Sequence, residues 1–208
     1  EKQQHILLNY TTQHHYCKGE AILSNAFECI GLLLIRSGTM RIYILSEEGR
    51  EVTLYRLSKG DICILSAACV LKSITFDVCI EAENDCDVIQ IASSAISLLS
   101  SENIYMECFI YKLAAERFSD VMWTMQDILF TSFDKRLAAF LLDETEKAHS
   151  DTLKMTHEQI AKYMGSAREV VSRMLKYFAN EGYVSLFRGG IRIINKEKLR
   201  ALLMPAVS

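Results

Sequence analysis

Thr156-His157-Glu158-Gln159-Ile160-Ala161-Lys162-Tyr163-Met164-Gly165-Ser166-Ala167-Arg168-Glu169-Val170-Val171-Ser172-Arg173-Met174-Leu175 decides the architecture of the C-terminal part of this chain. Thr156 with Gln159 three residues on is a capping box, so a helix starts there. Ile160, Ala161 and Met164 give that helix an apolar face, and Gly165 supplies a residue that takes positive φ at its C-terminus. A second helix is expected to open within two residues and to bury Val170, Val171, Met174 and Leu175. Two short helices around so tight a glycine turn form a helix-turn-helix. The second helix is expected to expose Ser166, Arg168, Glu169, Ser172 and Arg173 near its N-terminus, the end that enters a major groove in such motifs. Arginine can bond a guanine edge with two parallel donors, and glutamate can accept from a cytosine amino group.

Beyond the motif, Tyr183-Val184-Ser185-Leu186 and Gly190-Ile191-Arg192-Ile193-Ile194 read as a hairpin. Its tip, Phe187-Arg188-Gly189, would be a wing with Arg188 placed to touch phosphate. The candidate DNA-binding set is therefore Thr156, Ser166, Arg168, Glu169, Ser172, Arg173 and Arg188. An Arg-Glu-x-x-Ser-Arg face alone is most often a solvated surface with an internal ion pair. The capping box, glycine turn and wing in the right order favour the nucleic-acid reading. Charge agrees: residues 151–208 hold 10 Lys+Arg against 5 Asp+Glu, whereas residues 1–150 hold 13 against 21, giving the overall −3. A basic piece on an acidic body fits phosphate binding.

Upstream the texture changes twice. From Ser93 to Leu129 there is neither Gly nor Pro, and Cys108, Tyr111, Ala115, Phe118, Met122, Met125 and Leu129 recur at three- and four-residue steps. That spacing predicts one long helix over about 93–130 with an a/d seam for a second copy of the chain. The competing reading is a helix packed on its own domain. After Ser132, a plausible N-cap, a further amphipathic helix runs through Arg136 to about Lys147. From Tyr16 to Ile91 short apolar runs (Gly31–Ile35, Met40–Leu45, Val52–Leu57, Val88–Ile91) alternate with turns such as Ser37-Gly38, Glu47-Glu48-Gly49 and Lys59-Gly60-Asp61, as in an antiparallel roll or sandwich. The expected fold is α+β, with residues 1–130 an effector-sensing β-roll with its dimerisation helix and 131–208 a winged helix-turn-helix.

With these stretches in hand, the chain resembles the Crp/Fnr transcription regulators over essentially its whole length. The resemblance rests on Tyr16-Cys17-Lys18-Gly19-Glu20, on Ile35-Arg36-Ser37-Gly38 with Lys59-Gly60-Asp61, and most specifically on Arg168-Glu169-Val170-Val171-Ser172-Arg173. It implies a homodimer on double-stranded DNA, in which the residues matching Arg168, Glu169 and Arg173 read each half of a palindrome, and it implies contact with RNA polymerase. Ser172 is similar to the Fnr branch with its TTGAT-like half-site, and Arg168 to the Crp branch with its TGTGA-like one; the hybrid leaves the operator open. The roll resembles a cyclic-nucleotide-binding domain, but a fold does not transfer its ligand. Nucleotide-binding members carry Gly-Glu and Arg-Ser pairs where Ile64-Leu65 and Phe76-Asp77 stand in this chain. Without that arginine a cyclic phosphate loses its charge partner, and Asp77 would repel it. The effector pocket is thus expected at Ile64, Leu65, Phe76 and Asp77, for a small-molecule or redox effector other than cyclic AMP.

Cofactors are not expected. Cys17, Cys29, Cys63, Cys69, Cys79, Cys86 and Cys108 lack the close grouping of the Fnr iron–sulfur site, and their scatter without a CxxC pair suits reduced core thiols in a cytoplasmic protein. Cys63, Cys69 and Cys79 flank the former nucleotide pocket and are the candidates for redox sensing. His14-His15 could suggest haem or a metal, but neighbouring strand residues point to opposite faces. The histidines (5, 14, 15, 149 and 157) supply no cupin-type ligand set, and no catalytic grouping stands out, so an enzyme is not expected. No apolar run approaches the ~20 residues of a membrane helix. Glu1-Lys2-Gln3-Gln4-His5 lacks a signal-peptide core, and with no initiating Met the natural start is expected upstream. The rival readings are a sensing module whose winged helix contacts protein instead of DNA, and a divergent metal enzyme on the roll.

Overall fold

The computed structural model describes residues 2–23, 30–66 and 78–204. They group into two compact units, Glu1–Ser46 with Thr53–Thr124 and Glu47–Val52 with Met125–Ser208.

The first unit opens with a short helix, α1 (Lys2–Asn9), and then builds two four-stranded sheets from β1 (Thr11–Tyr16), β2 (Ala21–Leu23), β3 (Leu32–Ser37), β4 (Thr39–Leu45), β5 (Glu51–Ser58), β6 (Ile62–Cys63), β7 (Cys79–Ala82) and β8 (Cys86–Ile91). The strand orders are β1-β8-β3-β6 and β2-β7-β4-β5. Period-two alternation explains how β3 serves two cores. Leu33 and Ile35 join Met40, Ile42, Leu57, Ile80 and Val88 between the sheets, while Leu32 turns the other way to Ile64, Ile96, Ile110 and Leu113. Fully buried aliphatics of this size contribute roughly 2–3 kcal/mol each. One charge is drawn into the roll: Arg41, 3% exposed, stands opposite Glu81 in the β4–β7 register. It bonds that carboxylate at 2.9 Å and lies 4.0 Å from the Tyr43 ring centre. Loss of Glu81 would take a carboxylate away from a buried cation, a costly change.

The long helix expected over 93–130 is two helices, α2 (Ser93–Glu102) and α3 (Ile104–Phe130). Asn103 breaks it. Its backbone is extended (φ −138°, ψ 105°), and its side-chain oxygen accepts from the Tyr105 amide at 3.0 Å. Asparagine competes well for such a capping position because its short amide replaces a missing helical carbonyl. α3 buries Ile110 and Leu113 on one side and spends the rest of its length with an opposite face in solvent.

The second unit contains α4 (Phe133–Lys147), β9 (Thr152–Leu153), α5 (His157–Met164), α6 (Arg168–Asn180), β10 (Val184–Phe187), β11 (Gly190–Ile193) and α7 (Lys196–Leu203). Ser132 is the N-cap of α4, but its side chain makes no capping bond to the helix; it bonds the Asp134 carboxyl, which is held below its usual range chiefly by that contact. The three strands order as β10-β11-β9, so the expected hairpin gains a short third strand. Leu137 and Leu141 of α4, Ile160 and Met164 of α5, Val171, Leu175 and Phe178 of α6, and Val184, Ile191 and Leu199 form one core. α6 therefore packs on positions i, i+4 and i+7 from Val171. Val170 and Met174, expected inside, sit on the shoulders and are half-buried.

Candidate nucleic-acid interface

The frame of the motif is rigidly specified. Thr156 accepts from the Gln159 amide at 3.1 Å, and the Gln159 side chain accepts from the Thr156 amide at 2.8 Å. Both otherwise orphaned donors at the start of α5 are satisfied. At the other end Gly165 adopts φ 56°, ψ 43° and donates to the Ala161 carbonyl, a left-handed cap that glycine takes without a Cβ penalty. Arg136 of α4 donates to the Met164 carbonyl at 2.6 Å and bonds Asp127 in the last turn of α3 at 3.1 Å. One guanidinium thus links α3, α4 and the α5–α6 turn.

α6 starts from Ala167, which offers no side-chain cap, so its first-turn amides have no side-chain acceptor. Arg168, Glu169, Arg173 and Lys176 are exposed on its outer side, whereas Ser166 and Ser172 are half-buried, less open than expected. Arg188 is exposed at the tip between β10 and β11. Among the described residues, none of these four α6 side chains nor Arg188 has a charged partner, so a row of cations faces outward uncompensated except by Glu169.

His157 was not singled out from the sequence. It lines an open cleft of about 340 Å³ with Met155, Thr156, Glu158, Arg168, Phe187, Gly189 and Gly190. Three separate elements meet there, which no local motif reveals. Burial, and then the charges of Arg168 and Lys176, hold the imidazole below its ordinary value.

On α3 the seven seam residues are all exposed. Tyr111, Phe118 and Leu129 are each at least 60% exposed, Met122 and Met125 about 45%, and Cys108 and Ala115 lie beside them. Tyr105, Trp123 and Phe130 extend this bare apolar face beyond the expected stripe.

In the roll, Ile64 and Leu65 are buried at 0% and 4% exposure; Phe76 and Asp77 lie outside the described residues, as do Cys29 and Cys69. Cys63 and Cys86 are buried, Cys79 is half-buried, and Cys17 and Cys108 are exposed. Burial raises the Cys63 thiol. His14 and His15 engage different partners, Thr12 and Asp87, each at 2.8 Å. Among the described residues no three His, Cys, Asp or Glu side chains group as a metal site, and no helix is long and apolar enough to cross a membrane. Nearby, Tyr55 Oη and Arg117 Nε are buried with no hydrogen-bond partner, the guanidinium lying 5.4 Å from the Tyr55 ring centre. Neither residue is marked by any sequence motif.

Comparison with known proteins agrees in both units. Residues 13–103 match the cyclic nucleotide-binding domain, and residues 135–202 the Crp-like helix-turn-helix domain. A structure from Eubacterium rectale, assigned to the Crp/Fnr family of transcriptional regulators, is 44% identical, with 97% of this chain and 94% of that one covered and a TM-score of 0.95. The fumarate and nitrate reduction regulatory protein of Yersinia pestis is 28% identical over 89% of this chain and 76% of its own. The cAMP-activated global transcriptional regulator Vfr of Pseudomonas aeruginosa is 24% identical over 88% and 90%.

Proposed function

Because the chain belongs to the Crp/Fnr family of DNA-binding transcription regulators, and its relatives are regulators and not enzymes, we propose that it binds a palindromic DNA site as a homodimer, under control of an effector other than cyclic AMP. The outward row of α6, with Arg168, Glu169 and Arg173 presented by the capped α5 and the Gly165 turn, carries this reading. Arg168, Glu169 and Arg173 read base edges, Ser166 and Ser172 line the approach, and Thr156 and Arg188 meet backbone phosphates.

Dimerisation is assigned to α3. A monomer leaving Tyr111, Phe118, Met122, Met125 and Leu129 in water exposes a continuous apolar strip, the mark of a protein–protein surface. The proposed division is residues 1–130 for sensing and dimerisation and 131–208 for DNA binding. Within the second unit Arg136 ties the last turn of α3 to the α5–α6 turn. A shift of α3 alters the separation of the two recognition helices, which must reach half-sites one DNA turn apart, ~34 Å. RNA polymerase is the expected protein partner on the promoter.

An effector other than cyclic AMP is supported by the buried apolar pair Ile64-Leu65 where a ribose-binding carboxylate would be needed. The unsatisfied Tyr55 Oη and Arg117 Nε favour an effector carrying a hydrogen-bond acceptor. Anisotropy titration of a labelled duplex tests the DNA reading. Affinity is expected to fall steeply with salt, as counterion release requires; a salt-independent affinity would point instead to a winged helix that contacts protein.

A further inference from the structure

The cleft at the root of the wing holds a titratable group for which the DNA-binding reading gave no role. His157 is the first residue of α5 and is half-buried. Its ring has no hydrogen-bond or ion-pair partner among the described residues. The charged groups around it are Glu158 on its own helix, Arg168, which shares the cleft, and Lys176 further along α6. The wing lines the cleft with Phe187, Gly189 and Gly190, none of which titrates. An imidazole beside a guanidinium and an ammonium, partly out of water and lacking an acceptor, is biased towards its neutral form in the free protein. The same surroundings suit an incoming anion, because a phosphate there offsets Arg168 and Lys176 and accepts a hydrogen bond from the ring.

Building on the DNA-binding reading above, we propose that His157 is a backbone-phosphate contact that charges as DNA binds: it enters the complex as imidazolium, taking one proton from solvent and donating a charge-assisted hydrogen bond to a phosphate oxygen. The contact is to the sugar–phosphate backbone, so proton uptake accompanies binding to any duplex, specific or not. The sign follows from linkage. A group whose pKa is higher in the complex than in the free protein strengthens binding below its free value. That gain is lost as pH rises through the value in the complex. The free value lies below the ordinary 6.5, so the gain is complete only below that value and fades as pH rises from it towards the value in the complex.

Anisotropy titrations of the full chain with a random-sequence duplex at low, fixed ionic strength test this, run from about pH 6 to about pH 8 on wild type, His157→Gln and His157→Arg. Wild-type affinity is expected to fall at least about fivefold over that range, and never by more than about a hundredfold per pH unit, one proton for each protomer of the bound dimer. His157→Gln should be nearly flat at the weak, high-pH affinity, and His157→Arg nearly flat at the strong, low-pH one. The salt slope of the wild type should be steeper at pH 6 than at pH 8 by up to about 1.8, one extra phosphate neutralised by each protomer of the dimer; neither variant should show that difference. A flat wild-type profile, or a His157→Gln profile as steep as wild type, overturns the proposal while leaving DNA binding intact. Failure of wild type to bind duplex at any pH overturns the DNA-binding reading itself.

Discussion

α3 and α6 both present one side to solvent, and the two sides differ in chemistry. α3 leaves Tyr111, Phe118, Met122, Met125 and Leu129 exposed, whereas α6 buries Val171, Leu175 and Phe178 and turns Arg168, Glu169, Arg173 and Lys176 outward. An apolar strip loses free energy in water at roughly 25 cal/mol per Å² and is stabilised by another apolar surface. A charged row is at rest in water and gains only where fixed charges and base edges match it. On the proposed function, the partner of each helix follows from what it declines to bury: protein for α3, nucleic acid for α6.

The comparison breaks first at α3. Phe118→Glu puts a carboxylate into both copies of the seam, and since each substitution counts twice in a symmetric pair, dimer dissociation should rise about a thousandfold or more. Sedimentation equilibrium reads it directly. An unchanged dimer would mean that α3 is not the interface. Arg173→Ala tests the other helix. Specific DNA affinity should drop by about 1–3 kcal/mol with the dimer untouched, and an operator bound as tightly as before would remove Arg173 from recognition. Arg173→Ala should therefore weaken specific binding with the dimer intact, whereas Phe118→Glu should lose the dimer and with it the paired reading of two half-sites.

Smaller effects sharpen the contrast by altering how α6 is held, not what it displays. Gly165→Ala forces a Cβ into the left-handed region and should cost about 1–2 kcal/mol in urea unfolding. Thr156→Ala removes half of the capping box and should cost about 1 kcal/mol. Neither touches α3, so dimer affinity measured on the folded protein should stay constant; a parallel loss would show that the two surfaces are not independent.

Much of this was legible in the residues because it is local. Thr156 and Gln159, Gly165 and the Tyr183–Ile194 hairpin carry their own stereochemistry, and the α3 seam carries its own period. What escaped was set by neighbours in space. The 93–130 run has no Gly or Pro, so only the structure shows Asn103 ending one helix and starting the next. The inner face of α6 is rotated from the expected one because Phe178, a turn further on, anchors it. α7, whose Asn195 cap accepts from the Lys198 amide at 2.9 Å, did have a sequence signal that was passed over; α1 and β9 had little. The cleft at His157 draws on α5, α6 and the wing at once, and Tyr55 and Arg117 meet across β5 and α3. Such sites have no linear signature.

The central claim is that α3 pairs two copies so that two α6 helices read one palindrome. In vitro selection from a random duplex pool, run on the reduced protein in parallel with Phe118→Glu, tests it most directly. Wild type should enrich an inverted repeat with half-sites about one helical turn apart, and the Phe118→Glu variant none or only a single half-site. An identical palindrome selected by both, or a wild-type consensus with no two-fold symmetry, would contradict it.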